Sequence, residues 1–121
     1  MILLDTNILI EILKGNQQTI DQVQSLNQTL AISSITVMEL YYGARNKAEI
    51  SKLEKFVSLF EIIHLNDTIS SHATQLIKTY AKSHTLDIPD SLIAATALVS
   101  RVALLTYNTK DFKYIKGLEL V

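Results

Sequence analysis

Hydrophobic positions along this chain follow two rhythms. Short, largely apolar runs at Ile2–Leu4, Leu30–Ser33, 61–65, 102–106 and 118–121 have the length and continuity of strands buried on both faces of a parallel sheet. Between them the apolar residues recur at helical spacing, with Ile50, Leu53, Val57 and Phe60 on one face of a first segment and Ile69, Ala73, Leu76, Ile77 and Tyr80 on one face of a second. The segment 91–99 has little polar face at all, and its alanines predict a central helix lying close against a sheet. Strand alternating with helix implies crossover connections and helices on both faces. The expected fold is therefore α/β, a three-layer α/β/α sandwich on a mostly parallel five-stranded sheet.

Four of the apolar runs break off at a carboxylate or its amide. Met1 to Leu4 gives way to Asp5-Thr6-Asn7, the run 35–38 to Glu39, Ile88-Pro89 to Asp90, and Leu104 to Thr106 to Asn108 and Asp111. In parallel α/β sheets ligands bind beyond the carboxyl ends of the strands, so acids distant in sequence are expected along one edge. Each has a plain structural reading of its own. Asp5, Thr6 or Asn7 can cap a helix starting near Ile8, Thr36 with Glu39 fits a capping box, Asp90 suits the positive end of its helix with Asp87 as the cap, and Asp111 can cap a turn around Phe112. Coincidence at all four positions is the weaker account, because a carboxylate at the border of a core needs hydrogen bonds or a cation. Magnesium and manganese take oxygen ligands, with one or two carboxylates completed by water and phosphate, and the chemistry they support there is phosphodiester hydrolysis.

Composition narrows the field. With 121 residues the chain is long enough to bury a core as a single domain spanning 1–121, and 48% hydrophobic with 19% charged residues is the make-up of a globular protein. The absence of cysteine removes disulfides and thiolate sites and agrees with a reducing, cytoplasmic setting. The first apolar run meets Asp5 too early to span a membrane, and no basic leader precedes it. A net charge of −1 announces no nucleic-acid partner by itself, although Lys14, Arg45, Lys47, Lys110 and Lys113 leave the same sheet edge as the acids and are candidate phosphate contacts. No Gly-x-Gly-x-x-Gly follows the first strand, which argues against dinucleotide binding, and a receiver-type phosphoacceptor would need an aspartate where the third strand ends at His64-Leu65. His64, His72 and His84 are scattered without ligand spacing, Glu11 reads as exposed helix face, and Tyr41 and Tyr42 read as packing or interface residues.

Taken together, Asp5-Thr6-Asn7, the segment 34–43 with Glu39-Leu40 and Gly43, the run Pro89-Asp90-Ser91-Leu92-Ile93-Ala94-Ala95-Thr96-Ala97, and Thr106-Tyr107-Asn108-Thr109-Lys110-Asp111-Phe112 resemble the motifs of PIN-domain ribonucleases, in particular the VapC-like toxins of toxin-antitoxin pairs. The resemblance runs the length of the chain. It implies a metal-dependent RNA endonuclease using Mg²⁺ or Mn²⁺, an RNA substrate, a cognate antitoxin and frequent homodimers. Carried over by position, Asp5, Glu39 and Asp90 are the regular acids, with Asp5 and Asp90 as metal ligands. Either Asn108 or Asp111 fills the fourth place; Asp111 supplies the carboxylate, while Asn7, Thr106 and Asn108 are supporting residues. An interaction module on a degraded scaffold of the same kind would have lost these acids.

Overall fold

The computed structural model describes residues 1–121. Its elements in chain order are β1 (Ile2–Leu4), α1 (Thr6–Leu13), α2 (Gln17–Ser25), β2 (Leu30–Ser33), α3 (Ser34–Tyr42), α4 (Lys47–Val57), β3 (Glu61–Ile63), α5 (Asp67–His84), α6 (Ile88–Ser100), β4 (Ala103–Leu105) and a 3₁₀ turn at Thr109–Asp111. The strands form one parallel sheet in the order β3-β2-β1-β4. Register aligns Leu3 with Ala31 on one side and with Leu104 on the other.

Side chains alternate across a strand, so each strand feeds two cores. Ile2, Leu4, Ile32 and Leu105 join Ile8, Leu9, Val23, Leu40, Leu53 and Val57, which belong to α1 through α4. Leu3, Ala31 and Leu104 point the other way, onto Ile93, Ala94 and Ala97 of α6, with Phe112 and Ile115 of the C-terminal segment closing that side. The alanine face of α6 does what its composition predicts: Ala94, Ala95 and Ala97 have almost no accessible surface. α5 covers α6 through Ile69 and Ala73. Three layers result, as the alternation of elements requires.

The sheet is shorter than expected at its far edge. Segment 118–121 forms no strand; it reaches β4 only at a single parallel bridge between Leu120 and Leu104, with the Leu104 amide donating to Glu119 and the Val121 amide to Leu104. Turn geometry explains the loss. Gly117 sits at φ +85 and the Leu118 amide closes a turn onto the Ile115 carbonyl, so the chain comes alongside β4 only over its last residues, too few to build a ladder. The sheet therefore has four strands, not five. β3 and β4 are also trimmed to three residues each relative to their apolar runs. Helix α2, whose mean polarity hides its period, buries only Thr19 and Val23. None of the helices is long and apolar enough to cross a membrane.

Candidate active site

In this strand order β1 leads to β2 on one side while β4 returns to its other side, so the carboxyl ends of β1 and β4 flank the switch point of the sheet. Asp5 and Thr106 are the residues that step off those two ends. Asp5 is 4% exposed and Thr106 6%, and the Asp5 amide donates to the Leu105 carbonyl across the gap at 2.9 Å. Asp5 is at once the cap of α1 and more than a cap: its Oδ1 accepts from the Thr6 amide at 2.8 Å, and its Oδ2 accepts from the Thr106 hydroxyl at 2.7 Å. Thr106 is tied in further by the Asn108 amide, which donates to its Oγ1 at 3.0 Å. Asn7 adds a long contact from Nδ2 to the same oxygen at 3.4 Å.

Glu39 arrives from the middle of α3. The capping-box reading of Thr36 and Glu39 does not hold, because α3 begins at Ser34 and is capped by Ser33 through the Ile35 amide. The glutamate is instead held by tertiary contacts: its Oε1 accepts from the Thr6 hydroxyl at 2.7 Å, and that hydroxyl shares a 2.9 Å hydrogen bond with Thr36. Thr6 and Thr36 are thus site residues that sequence reasoning passed over; a threonine between two conspicuous polar residues, and one fully buried in a helix, carry no periodic signal. Asp90 lies in the first turn of α6 and is half-buried, while Asp87 is the cap, accepting from the Asp90 amide at 2.9 Å. That division between cap and free carboxylate is the expected one.

Electrostatics tie these groups together. Burial is the main cause that pushes the Asp90 carboxyl up from 3.8 to about 7, and the negative charges of Asp87, Asp5, Asp111 and Glu39 add to it in that order. The Asp5 carboxyl is raised by burial, held back by the Thr106 hydroxyl and the Thr6 amide, and raised again by Glu39 and Asp111. Burial, then Asp111, Asp90 and Asp87, lift the Tyr114 hydroxyl at the border of the same region. The Asp111 charge therefore acts on these other groups. Asn108 does not: its amide braces Thr106, and its side chain lines a neighbouring cavity. Of the two residues competing for the fourth place, Asp111 is the one whose charge acts on Asp5 and Asp90. Asp111 does not cap the turn, whose N-terminal residue is Asn108.

No basic side chain forms an ion pair with these acids. The ion pairs of the chain are Lys14 with Glu11 at 3.5 Å and Arg45 with Glu49 at 3.1 Å, and neither includes Asp5, Glu39, Asp90 or Asp111. Lys47, Lys110 and Lys113 remain unpaired, and the last two flank Asp111 in the chain. Histidines take no part: His84 bonds Ser83 and stacks on Tyr114, and no three acid or histidine side chains draw together into a closed cage for a metal. The expectation that several acids chelate one ion narrows accordingly to a site of one or two carboxylates, which is how magnesium is ordinarily held, with water and phosphate in the other positions.

A parallel sheet with acids beyond the strand ends at its switch point has the layout of an α/β enzyme site, and comparison with known proteins makes the class specific. The PIN domain family matches residues 2–118. A tRNA(fMet)-specific endonuclease VapC of Shigella flexneri is 31% identical over 122 residues, covering 96% of this chain and 92% of that protein. Ribonuclease VapC1 of Rickettsia felis is 33% identical, covering 99% and 94%. Among solved structures, a toxin-antitoxin complex from Klebsiella pneumoniae superposes with a TM-score of 0.84 at 34% identity, covering 98% of this chain and 95% of that one. The chain belongs to the PIN-domain family and, within it, to the VapC ribonucleases.

Proposed function

We propose that this chain is an endoribonuclease that hydrolyses RNA phosphodiester bonds with divalent-metal assistance, and that it acts as the toxin of a toxin-antitoxin pair. The observation that carries the catalytic part is the set of Asp5, Glu39, Asp90 and Asp111 at the sheet switch point with no cation beside them and with Asp90 pushed up to about 7. Carboxylates held in that way are costly unless a positive charge joins them. The donor set is all oxygen, which fits Mg²⁺ or Mn²⁺ and not a thiolate-seeking metal. Asp5 and Asp90 would hold the ion, with Glu39 and Asp111 completing the acidic wall. A bound divalent ion supplies Lewis acidity toward a phosphoryl oxygen and a more acidic water.

The remaining roles follow from the hydrogen bonds. Thr106 fixes Asp5 by donating to Oδ2, so the carboxylate is oriented before any ligand arrives. Thr6 does the same for Glu39. Asn7 and Asn108 support Thr106, one by side chain and one by backbone. Lys110 and Lys113 are the phosphate contacts of the RNA strand, placed on either side of Asp111 in sequence.

A cognate antitoxin is the proposed protein partner, in line with the toxin-antitoxin complex that resembles this chain from end to end. A homodimer is supported by α3, where Met38 is 50% and Tyr42 94% exposed beside Glu39. The working compartment is the cytoplasm, where RNA and such a partner are both met.

The test is cleavage of single-stranded RNA by the purified chain with Mg²⁺ or Mn²⁺, against EDTA and against Asp5→Asn. Metal-dependent internal cleavage that Asp5→Asn abolishes is expected. Cleavage that persists in EDTA, or in the variant, refutes the assignment.

A further inference from the structure

Beside the acids lies a cavity of about 480 Å³, walled by α1, α2 and the segment that follows β4. Pockets of about 300–1,000 Å³ are the size that takes a small ligand or one unit of a polymer. The wall chemistry is neutral and amide-rich. Asn7, Gln18, Gln22 and Asn108 present carboxamides, Tyr107 presents a ring, and Glu11 is the one charged lining residue. That glutamate is already engaged by the Asn16 amide at 3.1 Å and by Lys14 at 3.5 Å, so the cavity suits neither a free anion nor a cation.

Two features give the cavity a purpose. Gln18 and Gln22 stand one helical turn apart on α2, both exposed, while the core work of that helix falls to Thr19 and Val23. Neither glutamine is part of the core, and the one bond either side chain makes to the protein is the long contact that Gln22 Oε1 accepts from Tyr107. Tyr107 is pinned at both ends: its hydroxyl bonds the fully buried Thr19 hydroxyl and reaches Gln22 Oε1 at 3.5 Å, and its backbone amide donates to Asn7 Oδ1 at 3.4 Å. Even so, 46% of the residue stays open to solvent. A fixed, half-open ring beside the Gln18 carboxamide and the Gln22 amide group, neither of which donates to the protein, is the arrangement that stacks an unpaired nucleobase and reads its edge.

Position ties the cavity to the acids. Asn7 lines it and also touches Thr106, which donates to Asp5, and Tyr107 is the next residue in the chain. A strand with a phosphate at Asp5 and Asp90 thus brings an adjoining base to this opening. We infer that the cavity is a base-reading pocket for the nucleotide next to the cleaved bond, with Tyr107 as platform and Gln18 and Gln22 as edge readers. The inference rests on the ribonuclease reading and adds where its sequence preference originates.

The experiment uses short single-stranded oligoribonucleotides with one scissile linkage, carrying each of the four bases in turn on either side of it. A good carboxamide-to-base contact discriminates by about 1–3 kcal/mol, or roughly 5- to 150-fold in kcat/KM. The parent chain should show a preference in that range at one flanking position. In the Gln18→Ala, Gln22→Ala double variant the preference should collapse to within about threefold, through loss on the favoured base, at an unchanged melting temperature. Gln22→Glu keeps the size and removes the donors, so it should change which base is favoured. The same oligonucleotides, titrated in EDTA by fluorescence anisotropy, read the base preference without cleavage. A preference unchanged in both variants overturns the inference, as does a parent chain indifferent to all four bases in cleavage and binding. Loss of binding to the purified antitoxin, with base preference intact, makes the cavity a seat for the protein partner and overturns it too. A parent that discriminates bases in binding but cleaves none would refute the ribonuclease reading alone.

Discussion

Replacing Asp90 by asparagine tests whether its carboxylate is held for chemistry or for the helix it begins. Without metal, Asp90 is raised from 3.8 to about 7. A carboxyl with a raised folded pKa binds its proton more tightly folded than unfolded, so stability falls as pH rises from about 4 and the full penalty is present above about 7. The difference of about 3 pH units, at 1.36 kcal/mol each, sets a ceiling near 4 kcal/mol. Asp90 is only half-buried, and solvent screening brings the expected penalty down to about 1–2 kcal/mol. Asparagine removes the penalty but also forfeits the favourable charge at the start of α6, about 0.3–1 kcal/mol. Its side chain makes no hydrogen bond that the change would break, since the helix is capped by Asp87. Urea denaturation in EDTA at pH 5 and pH 8.5 should therefore find the parent losing stability toward high pH. The Asp90→Asn chain should lose less stability than the parent over that range, keeping only what the raised Asp5 carboxyl contributes, and should be about 0.5–1.5 kcal/mol more stable than the parent at pH 8.5. Single-turnover cleavage of RNA with Mn²⁺ should fall by at least a hundredfold, on the order of losing one metal ligand. A variant that is less stable at pH 8.5 and still fully active would refute the reasoning, because it would make Asp90 a helix-terminus charge and nothing more.

Two further outcomes bear on the neighbours of that group. Thr106→Val removes the hydroxyl that donates to Asp5 Oδ2 and should cost about 1–3 kcal/mol at pH 7, with the pH onset of RNA cleavage moved upward, since the hydroxyl is what holds the Asp5 carboxyl down; an unmoved pH–rate profile would count against the orienting role. Ala94→Leu inserts bulk where α6 meets Leu3 and Ala31 and should destabilise the fold by about 1–3 kcal/mol by chemical denaturation, and a neutral result would mean that α6 does not lie as close to the sheet as its alanines indicate.

How much of this was legible in the chain follows from the range of the forces involved. Continuous apolar runs and helical spacing are local, so β1, β2, α4, α5 and α6 could be read from residue order, as could the alanine face that brings α6 onto the sheet. The acids were legible as well, because a carboxylate that interrupts an apolar run is conspicuous on its own. Tertiary structure decided what neighbours in space decide. Helix α2 carries too few apolar residues to announce itself, yet it walls the cavity beside Asn7. Glu39 looked like half of a capping box until a hydroxyl from α1 claimed it, and Thr6 and Thr36 became part of the site through that contact alone. Between Asn108 and Asp111 the sequence offered no choice, since both follow β4. The turn after β4 separates them: the Asn108 amide returns to Thr106, while the Asp111 charge acts on Asp5 and Asp90. The fifth strand failed for the same kind of reason: its apolar residues permit a ladder, but a turn at Gly117 brings the chain alongside β4 only at its last residues. Hydrophobic pattern sets which residues leave water. Where each donor and charge finds its partner is fixed only once the packed backbone has placed them together.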